Sequence, residues 1–300
     1  MAGVGVVKRK RKSYAALILA ACVFLGTWYF YDASTGRATP PGQIAVHFID
    51  VGQGDCTLIE AQGQFMLIDG GQRGSEERVT KYLRALGVER LDYVVATHPH
   101  SDHTGGLAYG VLDAFPVGTV IAPRLSQENT PTTQTWEAFL EAVSRQVDQN
   151  GARALYANPG DIYALGDAVF TILGPLGEDL RNMNNNSVIV RLEYGSTAAL
   201  FTGDAERAAE SALASTYHGS LRADLLHAGH HGSNTSSNLN FLRYVVPRFV
   251  VIPVGAENTY NHPDPRAMQR FREANTIIYR TDVDGTIIMR SNGLEFWRDS

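Results

Sequence analysis

Thr97-His98-Pro99-His100-Ser101-Asp102-His103-Thr104-Gly105-Gly106 follows directly on the apolar run Leu91–Ala96, and this junction decides the fold. Four side chains able to ligate a metal, His98, His100, Asp102 and His103, fall within six positions. Where a strand ends and the chain turns, His98 and His100 can splay toward one ion and Asp102 and His103 toward another. A continuous helix or strand could not do this easily. Three histidines and an aspartate on one loop have no packing rationale. Cys22 and Cys56 are the only cysteines, so neither a disulfide scaffold nor a Cys-rich metal site is available and any metal must be held by His and carboxylates.

One loop cannot complete two coordination shells, so further ligands must come from remote strand ends. Phe201-Thr202-Gly203-Asp204 ends an apolar run with a carboxylate just past it, where one aspartate could bridge two ions. The same Asp204 could instead cap a helix running from Ala205 to about Ser215. Leu225-Leu226-His227-Ala228-Gly229-His230-His231-Gly232-Ser233 ends another run with three histidines, of which His227 reads as a core or supporting residue. His262, with Tyr260 and Asn261, follows the apolar run Phe249–Val254, where a loop could bring it to a substrate as a contact or a proton donor.

Here the sequence resembles the metallo-β-lactamase-fold hydrolases, and within them the branch formed by the hydrolase domain of the competence DNA-uptake protein ComEC and its stand-alone relatives. His98-Pro99-His100-Ser101-Asp102-His103 carries the resemblance, with Asp69 in Leu67-Ile68-Asp69-Gly70-Gly71 before it. Phe48-Ile49-Asp50-Val51-Gly52-Gln53-Gly54-Asp55, Asn184-Asn185-Asn186-Ser187-Val188, Gly229-His230-His231-Gly232-Ser233 and Asn258-Thr259-Tyr260-Asn261-His262-Pro263 point to the branch.

The resemblance implies an α/β fold, a four-layer αββα sandwich with a two-metal site at one edge. It places His98 and His100 at one ion, Asp102 and His103 at the other, and Asp204 between them. His230 is implied as a ligand of the second ion, with His231 competing for the role. Asp69 would orient the ligand loop. Asp55, Asn186, His231, Ser233, Tyr260 and Asn261 are expected to support the ligands or touch substrate, and Asp102 and His262 to take part in catalysis. One departure stands out: residues 182–187 contain no histidine where most of the superfamily has one. A first site with fewer protein ligands, helped by an Asn oxygen or water, would suit manganese as well as zinc.

The chain has 300 residues, 44% hydrophobic and 19% charged, which is enough for a large core. Its net charge of −5 is unevenly spread. Residues 1–39 hold six of the 26 cations and one of the 31 acids, which leaves 20 and 30, a net −10, for the rest. Generic attraction to nucleic acid is therefore absent, and any such affinity must come from a local patch or from bound ions.

Lys8, Arg9, Lys10, Arg11 and Lys12 precede an uncharged 19-residue stretch, residues 13–31, with Trp28, Tyr29 and Tyr31 at its far end. This reads as a basic cytoplasmic tail (1–12) and a transmembrane anchor or signal helix, followed by a linker at 32–41. Leu19-Ala20-Ala21-Cys22 also looks like a lipoprotein cleavage site, although the apolar run continues past it. In each case the body is expected outside the cytoplasm, either attached to the membrane or secreted.

Residues 42–300 read as one hydrolase domain. Ile44–Ile49, Thr57–Glu60, Phe65–Ile68, Leu91–Thr97, Val169–Leu173, Ser187–Tyr194, Thr197–Thr202, Leu225–Ala228, Phe249–Val254, Thr276–Arg280 and Thr286–Arg290 have strand patterns. Helical spacing joins Val79, Tyr82, Leu83 and Leu86, and recurs from Thr132 or Thr133 and after Pro265. The expected function is hydrolysis by water activated at two divalent ions, Zn2+ or Mn2+, with a phosphodiester, possibly DNA, as substrate. A smaller ester, such as a phosphocholine decoration, a lactone or a lactam, is the alternative, and a non-enzymatic surface binding module a third reading. No protein partner can be inferred.

Overall fold

Period-two alternation sorts the strand residues into layers. In β1 (Ile44–Phe48), β2 (Thr57–Ala61) and β3 (Gln64–Ile68), the side chains of Ile44, Val46, Phe48, Ile59, Ala61, Met66 and Ile68 join one apolar cluster. The alternate residues Leu58 and Leu67 join another. β10 (Thr197–Phe201) repeats the division, with Ala199 and Phe201 in the shared cluster and Ala198 and Leu200 in a third. These three apolar layers define four structural layers, because each buried face needs a partner.

The computed structural model describes residues 39–299. The expected basic tail, the membrane or signal segment at 13–31 and most of the 32–41 linker lie outside the described residues. Among those described, no helix is long and apolar enough to cross a membrane.

After β3 come β4 (Leu91–Val95), β5 (Val117–Ala122), β6 (Arg153–Tyr156), β7 (Ile162–Leu165), β8 (Ala168–Gly174) and β9 (Ile189–Tyr194). After β10 come β11 (Leu225–His227), β12 (Phe249–Ile252), β13 (Ile277–Arg280), β14 (Ile287–Ser291) and β15 (Phe296–Arg298). One sheet has the order β15-β14-β1-β2-β3-β4-β5-β6 and the other β13-β12-β11-β10-β9-β8-β7. β3 through β6 run parallel, as do β10 through β13.

Helices α1 (Glu76–Ala85), α2 (Ser101–Gly106) and α3 (Gln134–Asn150) accompany the first sheet, whose outer cluster contains Val79, Leu83, Trp136 and Phe139. α4 (Arg207–Tyr217), α5 (Leu239–Val245) and α6 (Pro265–Glu273) accompany the second, with Leu213, Phe241 and Phe271 in its outer cluster. The αββα sandwich expected from the resemblance is therefore the observed fold.

Several local expectations change. β5, β6, β7 and β15 are strands that the sequence reading did not single out. Of the two threonines offered as a cap for α3, Thr133 takes the role, accepting from Trp136 N at 3.3 Å. α4 begins at Arg207 with Glu206 at the capping position, so Asp204 is not the helix cap. The strand expected from Ser187 begins at Ile189, because Met183–Asn186 form a 3-10 turn.

Two glycines bring distant loops together. A Cβ on Gly106 would lie 1.9 Å from Gly70 O, and one on Gly54 would lie 2.3 Å from Asp102 O. The ligand loop therefore packs directly onto the turns after β3 and β1. At the other end of the first sheet, Thr39 donates its backbone N–H and its hydroxyl to Glu60 at 3.1 and 2.6 Å, while Arg290 reaches its hydroxyl at 3.3 Å.

Candidate metal centre

The carboxyl ends of parallel strands converge on one edge of the sandwich, where α/β architectures place their ligands. The turn after β3 carries Asp69, the turn after β4 carries His98 to His103, and the turns after β10 and β11 carry Asp204 and the His230-His231 pair. His100 has extended backbone and caps α2, whose first turn carries Asp102 and His103. Asp55 N bonds Asp102 O at 3.1 Å and Gly70 N bonds His103 O at 2.8 Å, which holds the ligand loop by its backbone.

Asp204 is buried at the centre. Its Oδ1 lies 3.2 Å from His103 Nε2 and 3.6 Å from His231 Nε2, and Asp102 Oδ2 lies 3.3 Å from the same His231 nitrogen. Its Oδ2 lies 3.6 Å from His98 Nε2, which is 3.0 Å from His100 Nδ1. Two donor sets share the one carboxylate: His103, Asp204 and His231 with Asp55 nearby, and His98 and His100 with Asp204.

Buried polar atoms ordinarily find hydrogen-bond partners. His103 Nε2, His231 Nε2 and Asp204 Oδ1 do not, although they face one another. The opposite ring nitrogens are committed: His103 Nδ1 donates to Asp69 at 2.7 Å and His231 Nδ1 to Pro253 O at 3.0 Å. Each ring is thereby fixed with its hydrogen on Nδ1, which leaves the Nε2 lone pair turned to the centre, the usual outer support of a metal-bound histidine. Two imidazoles and two carboxylates form a donor set that suits a borderline divalent cation. The residues therefore fit a divalent ion.

Asp69 supports rather than ligates. Its two oxygens accept from Thr97 N at 2.8 Å, Thr97 Oγ1 at 2.7 Å and His103. Burial raises its pKa against the pull of His103. Asp55 accepts from His227 Nε2 at 2.9 Å and faces the Nδ1 side of His103 and His231, at 3.7 and 3.9 Å. It stands behind both rings, opposite Asp204. His227 is buried against it, as its strand position suggested.

Charge follows this arrangement. Burial works to lower the pKa of His231, but Asp204 and Asp55 outweigh it and lift the ring to about 9, so without an ion the ring holds a proton on Nε2 as well, and a bound cation would take that proton's place. Burial also works to raise Asp102, and the neighbouring His103 and His231 hold its carboxyl well below the usual range. His98, in contrast, is pushed far down, first by burial and then by His103.

Between the two adjacent histidines, His231 rather than His230 meets the second donor set. The backbone decides this: His230 and His231 both occupy the left-handed region, at φ 50° and 52°, a conformation that costs roughly 1–2 kcal/mol per non-glycine residue. His231 is directed inward, with its side chain 2% exposed, whereas His230 is 24% exposed and bonds Glu206 through Nδ1 at 3.1 Å.

Behind this strained pair, Glu210 is wholly buried and accepts from Ser237 N, Asn238 N at 2.9 Å and Asn238 Nδ2 at 2.6 Å. Arg270 donates to Asn234 Oδ1 and to the carbonyls of Asn234, Ser236 and Ser237. The loop that carries the histidines is thus clamped from below. Neither Glu206 nor Glu210 was singled out in the sequence, since both read as ordinary acids of an Ala-rich helix.

A cleft of about 840 Å³ opens over the centre, lined by His100, Asp102, Asp204, His230, His231, Tyr260 and His262 together with Thr130 to Thr133. Tyr260 stacks on His262 at 5.9 Å, and His262 stands 5.6 Å from His230. Burial, joined by His230 and His231, lowers the His262 pKa, which leaves the ring neutral at pH 7. Three of the residues expected to support the ligands or touch substrate line neither the cleft nor the donor sets beneath it. The Asn186 side chain accepts from Asp179 N at 2.7 Å and donates to Asp179 O at 2.9 Å, Ser233 Oγ bonds Thr235 at 2.9 Å, and Asn261 forms a left-handed turn.

Comparison with known proteins agrees with the geometry. Residues 49–255 match the family described as the metallo-beta-lactamase superfamily. ComE operon protein 3 of Bacillus subtilis is 27% identical over 265 residues, covering 82% of this chain and 33% of its own length. Competence protein ComA of Neisseria gonorrhoeae is 29% identical over 252 residues, covering 84% and 33%. Recombination protein 2 of Haemophilus influenzae is 30% identical over 247 residues, covering 81% and 28%. The chain thus spans about a third of the length of these curated relatives.

Among solved structures, the metallo-beta-lactamase fold protein YhfI of Bacillus subtilis aligns with TM-score 0.50 at 13% identity, over 81% of this chain and 97% of its own. CmlA, a diiron beta-hydroxylase of Streptomyces venezuelae, aligns with TM-score 0.56 at 16% identity, over 87% and 55%. These likenesses concern the fold. On the matched family model, this chain belongs to the metallo-β-lactamase superfamily, as a metal-dependent hydrolase akin to the competence proteins.

Proposed function

We propose that the protein hydrolyses phosphodiesters, with DNA strands as the class of substrate, at a centre of two divalent ions. The observation that carries this reading is Asp204, whose two oxygens face two separate groups of imidazoles on the floor of an open cleft. When bound there, zinc or manganese ions would polarise a phosphoryl oxygen and make a water acidic enough to attack it. Relatives named for competence and recombination support nucleic acid as the substrate. A location outside the cytoplasm, with the body membrane-attached or released, belongs to the same reading.

The chain's own residues divide the remaining work. His103 and His231 meet one oxygen of Asp204, with Asp102 reaching the same His231 nitrogen, and His98 and His100 group with the other. Asp69 and Pro253 O keep His103 and His231 from turning. His262, neutral at pH 7 and stacked on Tyr260, faces the cleft as a hydrogen-bonding contact for substrate, the first of the two roles expected of it. The tyrosine ring, 63% exposed, offers a face on which a nucleobase can stack.

One observation favours a smaller ester as a second reading. Among the described residues, no Lys or Arg lines the cleft, while Glu128 does. Phosphate attraction must then come almost entirely from the ions. The deciding experiment incubates the full chain with labelled single-stranded and double-stranded DNA, bis-nitrophenyl phosphate, a phosphocholine ester and nitrocefin, each with Zn2+ or Mn2+ and with chelator. Chelator-sensitive cleavage of DNA and of bis-nitrophenyl phosphate is expected. Faster turnover of nitrocefin or of the phosphocholine ester than of any DNA would replace this reading with the smaller-ester one.

A further inference from the structure

Asp204 presents two oxygens, and His230 and His231 divide between them. His231 Nε2 approaches Oδ1 at 3.6 Å, whereas His230 Nε2 approaches Oδ2 at 3.7 Å, the oxygen that also faces His98 Nε2 at 3.6 Å. Successive left-handed residues let neighbours in sequence serve opposite sides of one carboxylate. Two ligand atoms each ~2.1 Å from one ion at tetrahedral angles stand roughly 3.4 Å apart, so the distances to the shared oxygen suit a common ion, toward which His230 must move in from its wider spacing to His98 and His100.

His230 also has the support that a ligand requires. Its Nδ1 is held by Glu206 Oε1 at 3.1 Å. Glu206 in turn accepts from Asn182 Nδ2 at 2.9 Å and Asn184 Nδ2 at 3.0 Å. Those asparagines belong to the stretch that lacks a histidine. The carboxylate fixes the hydrogen on Nδ1 and frees Nε2, as Asp69 does for His103.

We propose that His230 completes the first metal site through Nε2, oriented by Glu206, and that Asn182 and Asn184 serve this site as anchors of Glu206. Each ion then has four protein donors: His98, His100, His230 and Asp204 at the first, Asp102, His103, His231 and Asp204 at the second. The proposal rests on the two-ion reading above. It assigns His230 to the ion opposite the one expected from sequence.

The test is metal titration of the full chain, stripped by chelator and refilled with Co2+, reading stoichiometry and the visible absorption of the bound ion. Wild type is compared with His230→Asn, Glu206→Gln, His231→Ala and Asn184→Ala, with thermal unfolding of each metal-free variant as the check on folding. Asn tolerates the left-handed backbone but lacks the imidazole. In His230→Asn, one ion should bind as in wild type and the other at least tenfold more weakly, with a changed spectrum. Glu206→Gln should weaken that same ion by about 10- to 100-fold, and it carries the test if the His230 variant fails to fold. His231→Ala should lose the other ion's spectrum.

Two ions bound with wild-type affinity and spectrum in both His230→Asn and Glu206→Gln would overturn the proposal while leaving the two-ion reading intact. Loss of the ion in Asn184→Ala alone would give the place to the Asn184 oxygen instead, which is buried without a hydrogen-bond partner. Fewer than two ions in saturated wild type would remove the two-ion reading itself, and this proposal with it.

Discussion

Around Asp204 Oδ1, the neighbouring donors His103 and His231 are almost wholly buried, and each ring is tied from behind by Asp69 or Pro253 O. Around Oδ2 the surroundings are looser. His98 is buried, but His100 is exposed and His230 half-open to the cleft. The same residue types thus build a closed half and an open half on one carboxylate. The difference teaches that affinity is set behind the ligands as much as by them, since a ring already fixed loses less freedom when it binds. An ion in the closed half would therefore exchange more slowly than one in the open half.

Removing the shared oxygens is the strongest way to break this contrast. Asp204→Ala should abolish binding of both ions and lower metal-dependent turnover by at least ~1000-fold, read by metal analysis and by phosphodiester cleavage, because metal and oxyanion stabilisation of this kind carries several kcal/mol. Retention of one ion at wild-type affinity would show that the halves do not depend on a common bridge.

A change of pH probes the clamp beneath both histidines. Burial pushes Glu210 up to about 7 from an ordinary 4.5, against the hydrogen bonds of Ser237 and Asn238. With its folded pKa above its unfolded one, the folded state binds the proton more tightly. Stability from this group is therefore fullest below pH 4.5 and is lost as pH rises to about 7. The loss amounts to roughly 3 kcal/mol at 1.36 kcal/mol per unit. Denaturant unfolding across that range should show this slope in wild type and lack it in Glu210→Gln. An unchanged slope would place the pH dependence elsewhere.

Asp69→Asn should weaken the ion of the closed half by about 10- to 100-fold and spare the other, measured by competition with a chromophoric chelator. Equal weakening of both would erase the distinction between the halves. The smallest effect is expected at Ser187, whose hydroxyl accepts from Asp204 N at 3.1 Å and lies 3.4 Å from His98 Nδ1. Ser187→Ala removes about 1 kcal/mol of hydrogen bonding, so binding at the open half should fall only about fivefold in the same competition assay.

Much of this centre could be read along the chain. The ligand loop is legible because its spacing has no packing explanation, and Asp204 because a carboxylate just past an apolar strand is out of place in a core. The assignment of His230 and His231 is not legible, since two identical neighbours are separated only by left-handed backbone angles that no residue pattern announces. Glu206 and Glu210 escape notice for another reason. Their roles arise from side chains 22 to 28 positions away, Asn182, Asn184 and Asn238, and only folding brings these together. Asn186 misleads in the opposite sense, since it belongs to a conspicuous motif yet braces Asp179. The strands β6 and β7 lie at sheet edges with mostly exposed residues, which blurs the alternation that revealed the inner strands.

The knot of Thr39, Glu60 and Arg290 pins the first described residue to the body. Thr39 enters beside the start of β1, and the five residues of that strand, spanning roughly 15 Å, lead from there to the turn that packs under the ligand loop. The knot and the cleft therefore lie at opposite ends of β1. The loop that carries Asp102 is thereby joined, through the turn after β1 and through β1 itself, to the far end of the first sheet.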